Sequence, residues 1–391
     1  MKLALPRAIA ILGLFVGLVS SSAPAEEVVV GGHFEISLFD MAAGQSRIAK
    51  KQDTTTTDYA GFQFLRFIPF IKCKVNEILS LDVRPSLEMS AGSVDAVSSA
   101  TPSANTSSVD ATTGATPVFG KAIGAQRAKS AQIKLAGFNK ATVEAALPGG
   151  IELSVGVLQP RFTWDYGQQL FWEDEINGSI FSCNPWLGDF SDVGLEVVHY
   201  FDVGDVTIPA YAYILNGSGY EKVDPLPIGM IHIEPSFYPF TFHVSAGGGY
   251  WDYAQHATQM RFSAGASGSF GKFSFRTEGA YGLWERRVIG TYENAEPYGG
   301  YLKLFYRVNR WLRLSLGSSF VYQNFMGMFT PLPGKEQYIT ISPGAQILTS
   351  PSSRIIIQLD ANQWIQEPKA IDDFYKVMQF GRATIGWRFT F

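Results

Sequence analysis

The chain has 391 residues, of which 17% are charged, 14% are aromatic and 39 are glycine. Its formal net charge of −4 excludes the strong basic excess of a nucleic-acid-binding protein. Few charges beside many aromatic residues and glycines are unusual for a soluble enzyme. They favour an all-β protein whose strands face an apolar environment on one side.

The first 25 residues predict a secretory signal peptide. Lys2 and Arg7 give a positive start, residues 8–19 are apolar, and Ala23-Pro24-Ala25 is a small-residue cleavage site. An uncleaved anchor is the alternative, but the apolar stretch is short for a membrane-spanning helix. We therefore expect residues 1–25 to be a signal peptide that is cleaved near Ala25, leaving residues 26–391 as the mature protein.

The mature chain repeats segments of roughly ten residues that alternate in polarity. Met260, Phe262 and Ala264, for example, alternate with Arg261 and Ser263. Successive side chains of a strand point to opposite faces, so each strand has one apolar and one polar face. A soluble β-sandwich would also alternate. The length of the pattern, the small residues among the charges and the aromatic residues near strand ends favour a transmembrane barrel.

Counting segments predicts an antiparallel barrel of about sixteen strands, with both termini in the periplasm. Weak alternation at 192–201 and 206–215 leaves fourteen strands as an alternative. The predicted spans are 28–39, 59–72, 77–90, 130–147, 151–159, 192–201, 206–215, 227–238, 241–252, 259–270, 273–285, 298–308, 311–325, 337–350, 354–365 and 375–391.

The connections alternate between short and long, which predicts short periplasmic turns and long extracellular loops. The main long loops are predicted at 40–58, 91–129 and 160–191. Short turns are predicted around residues 74–76, 148–150, 202–205, 239–240, 271–272, 308–310 and 351–353.

A strand sheet in hydrocarbon must pair all its backbone N–H and C=O groups, so it must close into a ring. A ring of this size is too wide for side chains to fill and is expected to keep an aqueous channel. Alternation begins at Phe34, Ile36 and Leu38, which leaves no room for a separate plug domain. The pattern thus predicts a pore for small polar or ionic solutes.

The C-terminal strand places Trp387, Phe389 and the terminal Phe391 on one face. It resembles the last strand of bacterial outer-membrane barrels, which the barrel-assembly machinery reads. Pro160-Arg161-Phe162 before a long loop and Asn216-Gly217-Ser218-Gly219 after a strand resemble porins of the phosphate-selective type. The mature chain thus resembles the Gram-negative outer-membrane porin superfamily, which implies a homotrimer in the lipid of the outer membrane.

Charged side chains on the polar faces are the candidates for selectivity. The predicted basic pore-lining residues are Arg84, Lys134, Lys140, Arg276, Lys303, Arg307, Arg313, Arg382 and Arg388, and the acids are Asp82, Glu88, Glu144, Glu152, Glu278 and Asp360. The excess of bases predicts a weak preference for anions. The alternative is that these residues are merely solvated and paired across strands.

Loop 160–191 is the candidate constriction. In porins the resembling loop folds into the channel, which implies that Asp165, Glu173, Asp174 and Glu175 face basic residues across it. The alternative is that this loop caps the outer mouth.

An enzyme is not expected. The chain lacks G-x-S-x-G and H-E-x-x-H motifs, and of five histidines only His256 lies in a predicted outer loop, near Asp252. No catalytic residue, cofactor or metal site is predicted. A surface adhesin or receptor, and an outer-membrane hydrolase, remain alternative functions.

Overall fold

The computed structural model describes one sheet of antiparallel strands. The described residues are 27–48, 54–61, 64–91, 131–164, 192–204, 206–216, 228–252, 257–288, 291–326, 334–368 and 376–390. Among these residues, no helix is long and apolar enough to cross a membrane.

The described residues contain eighteen strand segments. They are β1 (Glu27–Ile48), β2 (Thr54–Gly61), β3 (Phe64–Lys74), β4 (Leu79–Ala91), β5 (Ala131–Leu147), β6 (Ile151–Leu158), β7 (Asp192–Val203), β8 (Val206–Leu215), β9 (Ile228–Ile233), β10 (Ser236–Phe237), β11 (Phe240–Asp252), β12 (Ala257–Phe270), β13 (Phe273–Val288), β14 (Thr291–Arg307), β15 (Leu312–Met326), β16 (Gly334–Ser350), β17 (Ser353–Pro368) and β18 (Lys376–Thr390).

The sheet closes on itself. β1 pairs with β18 along one edge and with β2 and β3 along the other. The remaining strands pair in sequence order around the ring. These pairings join the first and last strands of the chain into a ring, which is how a sheet in hydrocarbon satisfies its backbone groups.

Two wall strands are interrupted, so eighteen segments occupy sixteen positions in the described part of the ring. β2 and β3 both pair with β1 in one continuous register, from Arg47↔Thr54 to Glu27↔Lys74. β9 and β10 likewise share one register against β11. The predicted antiparallel barrel is confirmed, and the weakly alternating strands β7 and β8 are both present.

All seven predicted short turns connect neighbouring strands at one end of the barrel. Two of them use the same chemistry: the Asn76 side chain accepts hydrogen bonds from the backbone N–H groups of Ile78 and Leu79, and Asn309 does so from Trp311 and Leu312. At the turn between β12 and β13, Gly271 has φ +58°, a left-handed conformation that favours glycine.

At the opposite end, several strands extend beyond the predicted spans. The expectation of a loop at 40–58 is wrong over most of that range, because β1 continues to Ile48 and β2 starts at Thr54. β1 continues because both neighbours pair with it there, β18 up to Ile48↔Lys376 and β2 up to Arg47↔Thr54. Most of the predicted loops 91–129 and 160–191 lies outside the described residues.

The wall has the reverse polarity of a soluble protein, because its apolar side chains point outward and its polar side chains point inward. On β12, the outward side chains of Met260 and Phe262 are 46% and 45% exposed, whereas the inward Arg261 and Ser263 are 8% and 4% exposed. The same inversion recurs across the wall, with exposed Leu302, Leu314, Leu316, Ile339, Ile341 and Leu359 and buried Lys303, Ser315, Ser319, Thr340, Ser342 and Asp360. A broad apolar outer surface of this kind fits lipid.

Exposed aromatic side chains surround the barrel near its short turns. They are Phe201, Phe237, Tyr238, Phe270, Phe273, Tyr306, Trp311 and Trp387. Aromatic rings prefer the membrane–water interface, so this girdle marks one boundary of the apolar band.

We predict that a charge on the outer face destabilises the barrel according to its depth. Leu302→Arg, well inside the apolar band, should lower the free energy of unfolding by about 2–4 kcal/mol, and Tyr306→Arg in the girdle by about 0–1 kcal/mol. Denaturant titration in lipid vesicles measures both values. Equal costs at the two positions would contradict a lipid-facing outer surface.

Candidate pore-lining site

The chain leaves the wall after β6 and turns into the barrel. We call residues 159–164 the inward segment. Phe162 and Trp164 are 0% and 4% exposed, although neither belongs to a strand. Both contact inward residues of the opposite wall, so the inward segment lies inside the ring.

Three strands hold the inward segment through its backbone. The Ser245 hydroxyl on β11 donates to the Arg161 carbonyl at 3.2 Å, and the Ser263 hydroxyl on β12 donates to the Phe162 carbonyl. The Trp164 N–H donates to the Glu278 carboxylate on β13 at 3.1 Å. A segment without sheet partners thus satisfies its buried backbone groups with wall side chains, as buried backbone must.

A pair of buried histidines supports these contacts. The rings of His232 and His243 stack at 5.5 Å, and Trp164 packs 4.3 Å from His243. His232 Nδ1 lies 2.7 Å from the Ser245 hydroxyl, and His243 Nε2 lies 3.0 Å from Glu278 Oε1.

A cavity of about 1030 Å³ lies between the inward segment and the wall formed by β3 to β8. Asn76, Glu77 and Ile78 of the first short turn line it, so it reaches the short-turn end of the barrel. Arg161 and Trp164 also line it. At about 30 Å³ per water molecule, the volume accommodates a hydrated small solute.

One side of the cavity carries a compact ion cluster on β4 and β5. Asp82 is buried and accepts two hydrogen bonds from Arg84, at 2.9 and 2.7 Å. Lys140 lies 3.4 Å from Asp82 and also pairs with Glu144. The bidentate geometry fixes the Arg84 guanidinium, which keeps a 37% exposed side chain.

The other side of the cavity combines carboxylates with tyrosines. Glu196 and Glu234 line it together with Tyr211. Arg161 lies 4.6 Å from the centre of the Tyr211 ring and 3.8 Å from Glu234. The Arg161 N–H donates to the Tyr213 hydroxyl at 3.4 Å.

Two of the predicted basic residues, Arg84 and Lys140, line this cavity. The others whose side chains are described lie on the inward face of β13, β14, β15 and β18, away from it: Arg276, Lys303, Arg307, Arg313, Arg382 and Arg388. Lys134 belongs to β5, and its side chain lies outside the described residues.

Some of the more distant bases have structural contacts. The Arg313 guanidinium lies 4.4 Å from the Phe305 ring, and Lys303 Nζ lies 5.0 Å from the Tyr301 ring. Lys303 is also buried. Contact of these residues with solutes remains a prediction.

The predicted constriction acids Asp165, Glu173, Asp174 and Glu175 lie outside the described residues. In the sequence, Asp165 directly follows the inward segment. Of the C-terminal aromatic residues, Trp387 is exposed on the outer face and packs 5.2 Å from Phe389, whereas Phe391 is not among the described residues.

Several cavity residues were missed as candidates, including Arg161, Glu196, Tyr211 and Glu234. On β8 the inward side chains are Tyr211 and Tyr213, so the inner face there is aromatic and weakens the alternation. Tyr211 and Tyr213, which are separated by one residue and therefore share a face of β8, were the sequence signal that could have identified this aromatic inner face. Arg161 and Glu234 lie outside strands, where parity assigns no face.

Within the part of the chain that the structure describes, no group of three or more His, Cys, Asp or Glu side chains could hold a metal ion. His256, the candidate of the hydrolase alternative, lies outside that part.

No protein-family model matches the chain, and no curated protein matches it. Solved outer-membrane proteins share its fold. The outer membrane channel DcaP of Acinetobacter baumannii aligns with a TM-score of 0.56 at 10% identity, covering 95% of this chain and 99% of DcaP. The anion-selective porin of Comamonas acidovorans aligns at 0.52 and 11%, covering 93% and 100%. OmpT of Vibrio cholerae aligns at 0.51 and 11%, covering 94% and 100%.

We predict that Glu278 holds the inward segment in place. Glu278→Ala removes the acceptor of the Trp164 N–H and should lower the free energy of unfolding by about 1–3 kcal/mol, the cost of an unpaired buried group. Glu367→Ala, at an exposed position on β17, is the matched control. If both variants unfold alike, the anchoring role of Glu278 is wrong.

Proposed function

We propose that this chain is a passive diffusion channel of the bacterial outer membrane for small polar or ionic solutes. The observation that carries the proposal is the inverted wall, apolar outside and polar inside, around an interior cavity of about 1030 Å³. Such a wall separates lipid from water, and water inside a wide ring is a path for solutes. The porin fold agrees with this role.

Export and assembly complete the proposal. The signal peptide, cleaved near Ala25, would deliver the chain to the periplasm, and the strand ending at Trp387, Phe389 and Phe391 would be read by the barrel-assembly machinery. A homotrimer is the assembly that we propose, since OmpT of Vibrio cholerae is described in a trimer form.

The described cavity does not supply the weak preference for anions that the basic pore-lining residues predict. Its lining contains six acids and five bases. The more distant basic residues and the constriction loop would have to supply any preference for anions.

The alternative roles find less support. A surface adhesin or receptor would not need the polar cavity at the short-turn end. A hydrolase would need a nucleophile and a histidine together at the rim, and the paired histidines His232 and His243 are instead buried at the inward segment.

The mature protein in a planar lipid bilayer should produce stepwise current increases that are linear in voltage. The reason is that a wide aqueous path conducts ions without a gate. The measurement is single-channel recording in symmetrical potassium chloride, followed by reversal potentials in a salt gradient. Folded, inserted protein that never conducts would contradict the channel.

Neutralising the proposed constriction should change the ion preference. The variant combines Glu173→Gln, Asp174→Asn and Glu175→Gln, and we expect its reversal potential to shift toward anions, because acids in a narrow throat attract cations. Glu367→Gln is the control. Unchanged conductance and reversal potential in the triple variant would show that these acids lie outside the throat.

A further inference from the structure

The charges that line the cavity are nearly balanced in number but separated in space. The part of the wall from β3 to β5 contributes four bases and three acids, Lys72, Lys74, Arg84, Lys140, Glu77, Asp82 and Glu144. The part from β6 to the residue after β9, with the inward segment, contributes one base and three acids, Arg161, Glu152, Glu196 and Glu234. A net positive part of the cavity lining thus adjoins a net negative part, which begins at the neighbouring strand β6.

On the positive side, two of the three acids, Asp82 and Glu144, are engaged in ion pairs. Asp82 is held by Arg84 and Lys140, and Lys140 also pairs with Glu144. Lys72 and Lys74 are exposed at the mouth of the cavity. This side therefore presents ammonium and guanidinium groups to a solute.

On the negative side, one base meets three carboxylates. Arg161 lies near Glu234, and its guanidinium covers the Tyr211 ring. Glu152 is exposed to the cavity, and Glu196 accepts a hydrogen bond from Tyr213. This side carries more carboxylates than bases, and an excess of carboxylates attracts the ammonium group of a solute.

We propose that the cavity is a binding site for small zwitterionic solutes of the amino-acid type. The carboxylate of the solute lies toward β3 to β5 and its ammonium toward β6 to β9. An ion of one sign gains on one side and loses on the other, whereas a zwitterion gains on both. The inference rests on the proposed channel function and names the solute class that it favours.

The test compares two probes of similar size in liposome swelling. Phosphatidylcholine vesicles containing the mature protein are diluted into isosmotic 4-aminobutyrate, a zwitterion, or erythritol, a neutral polyol. Erythritol reports the open channel alone. The ratio of the two swelling rates reports the preference for the zwitterion.

Two variants remove opposite sides of the charge pattern without changing side-chain size greatly. One combines Glu152→Gln, Glu196→Gln and Glu234→Gln, and the other combines Lys72→Gln and Lys74→Gln. Their net charges change in opposite directions. Both should nevertheless lower the 4-aminobutyrate to erythritol ratio, by about threefold, as expected for partly exposed ion pairs. Glu367→Gln should leave the ratio unchanged.

The outcomes separate the inference from the channel itself. Erythritol swelling with an unchanged ratio in either variant overturns the zwitterion site and leaves the channel standing. Folded protein without erythritol swelling overturns the channel, and the site with it. A fall of the ratio in both variants, with erythritol entry maintained, supports the site.

Discussion

The pairing of backbone N–H and C=O groups away from water is the constraint on which the whole structure depends. Hydrocarbon offers these groups no partners, so every strand needs a neighbour on both sides. The chain meets this demand by joining β1 to β18 and to β3. Closure in a membrane requires an apolar outer face and allows a polar inner face. A ring of sixteen positions is too wide for its side chains to fill.

Within the described residues, a segment that is not paired with any strand shapes the interior of the barrel. Residues 159–164 have no strand partner, and they replace it with Ser245, Ser263 and Glu278. Their position places the cavity against β3 to β8. The part of the wall that lines the cavity carries charges of both signs. The inward segment therefore fills part of the ring and also determines which charged side chains surround the remaining space.

Much of the wall could be predicted from the sequence, because period-two alternation is local and hydrocarbon enforces it. The alternation of Met260 and Phe262 with Arg261 and the turn at Gly271 needed no knowledge of distant residues. The strand ends were harder to predict. β1 continues to Ile48 because its neighbours also continue, and the local sequence pattern does not show this. The position of the inward segment was harder still to predict, since its hydrogen-bond partners lie 84 to 114 residues away along the chain. The aromatic inner face of β8 likewise concealed Tyr211 as a cavity residue.

The most direct measurement asks which face of one strand meets water. In a chain whose Cys73 and Cys183 are replaced by serine, Glu152→Cys lines the cavity and Val155→Cys lies on the outer face of the same strand β6. Reaction with a membrane-impermeant, charged thiol reagent in lipid vesicles should modify the cysteine at position 152 and spare the one at 155. Modification at 155 with protection at 152 would contradict the inverted barrel and the channel that depends on it.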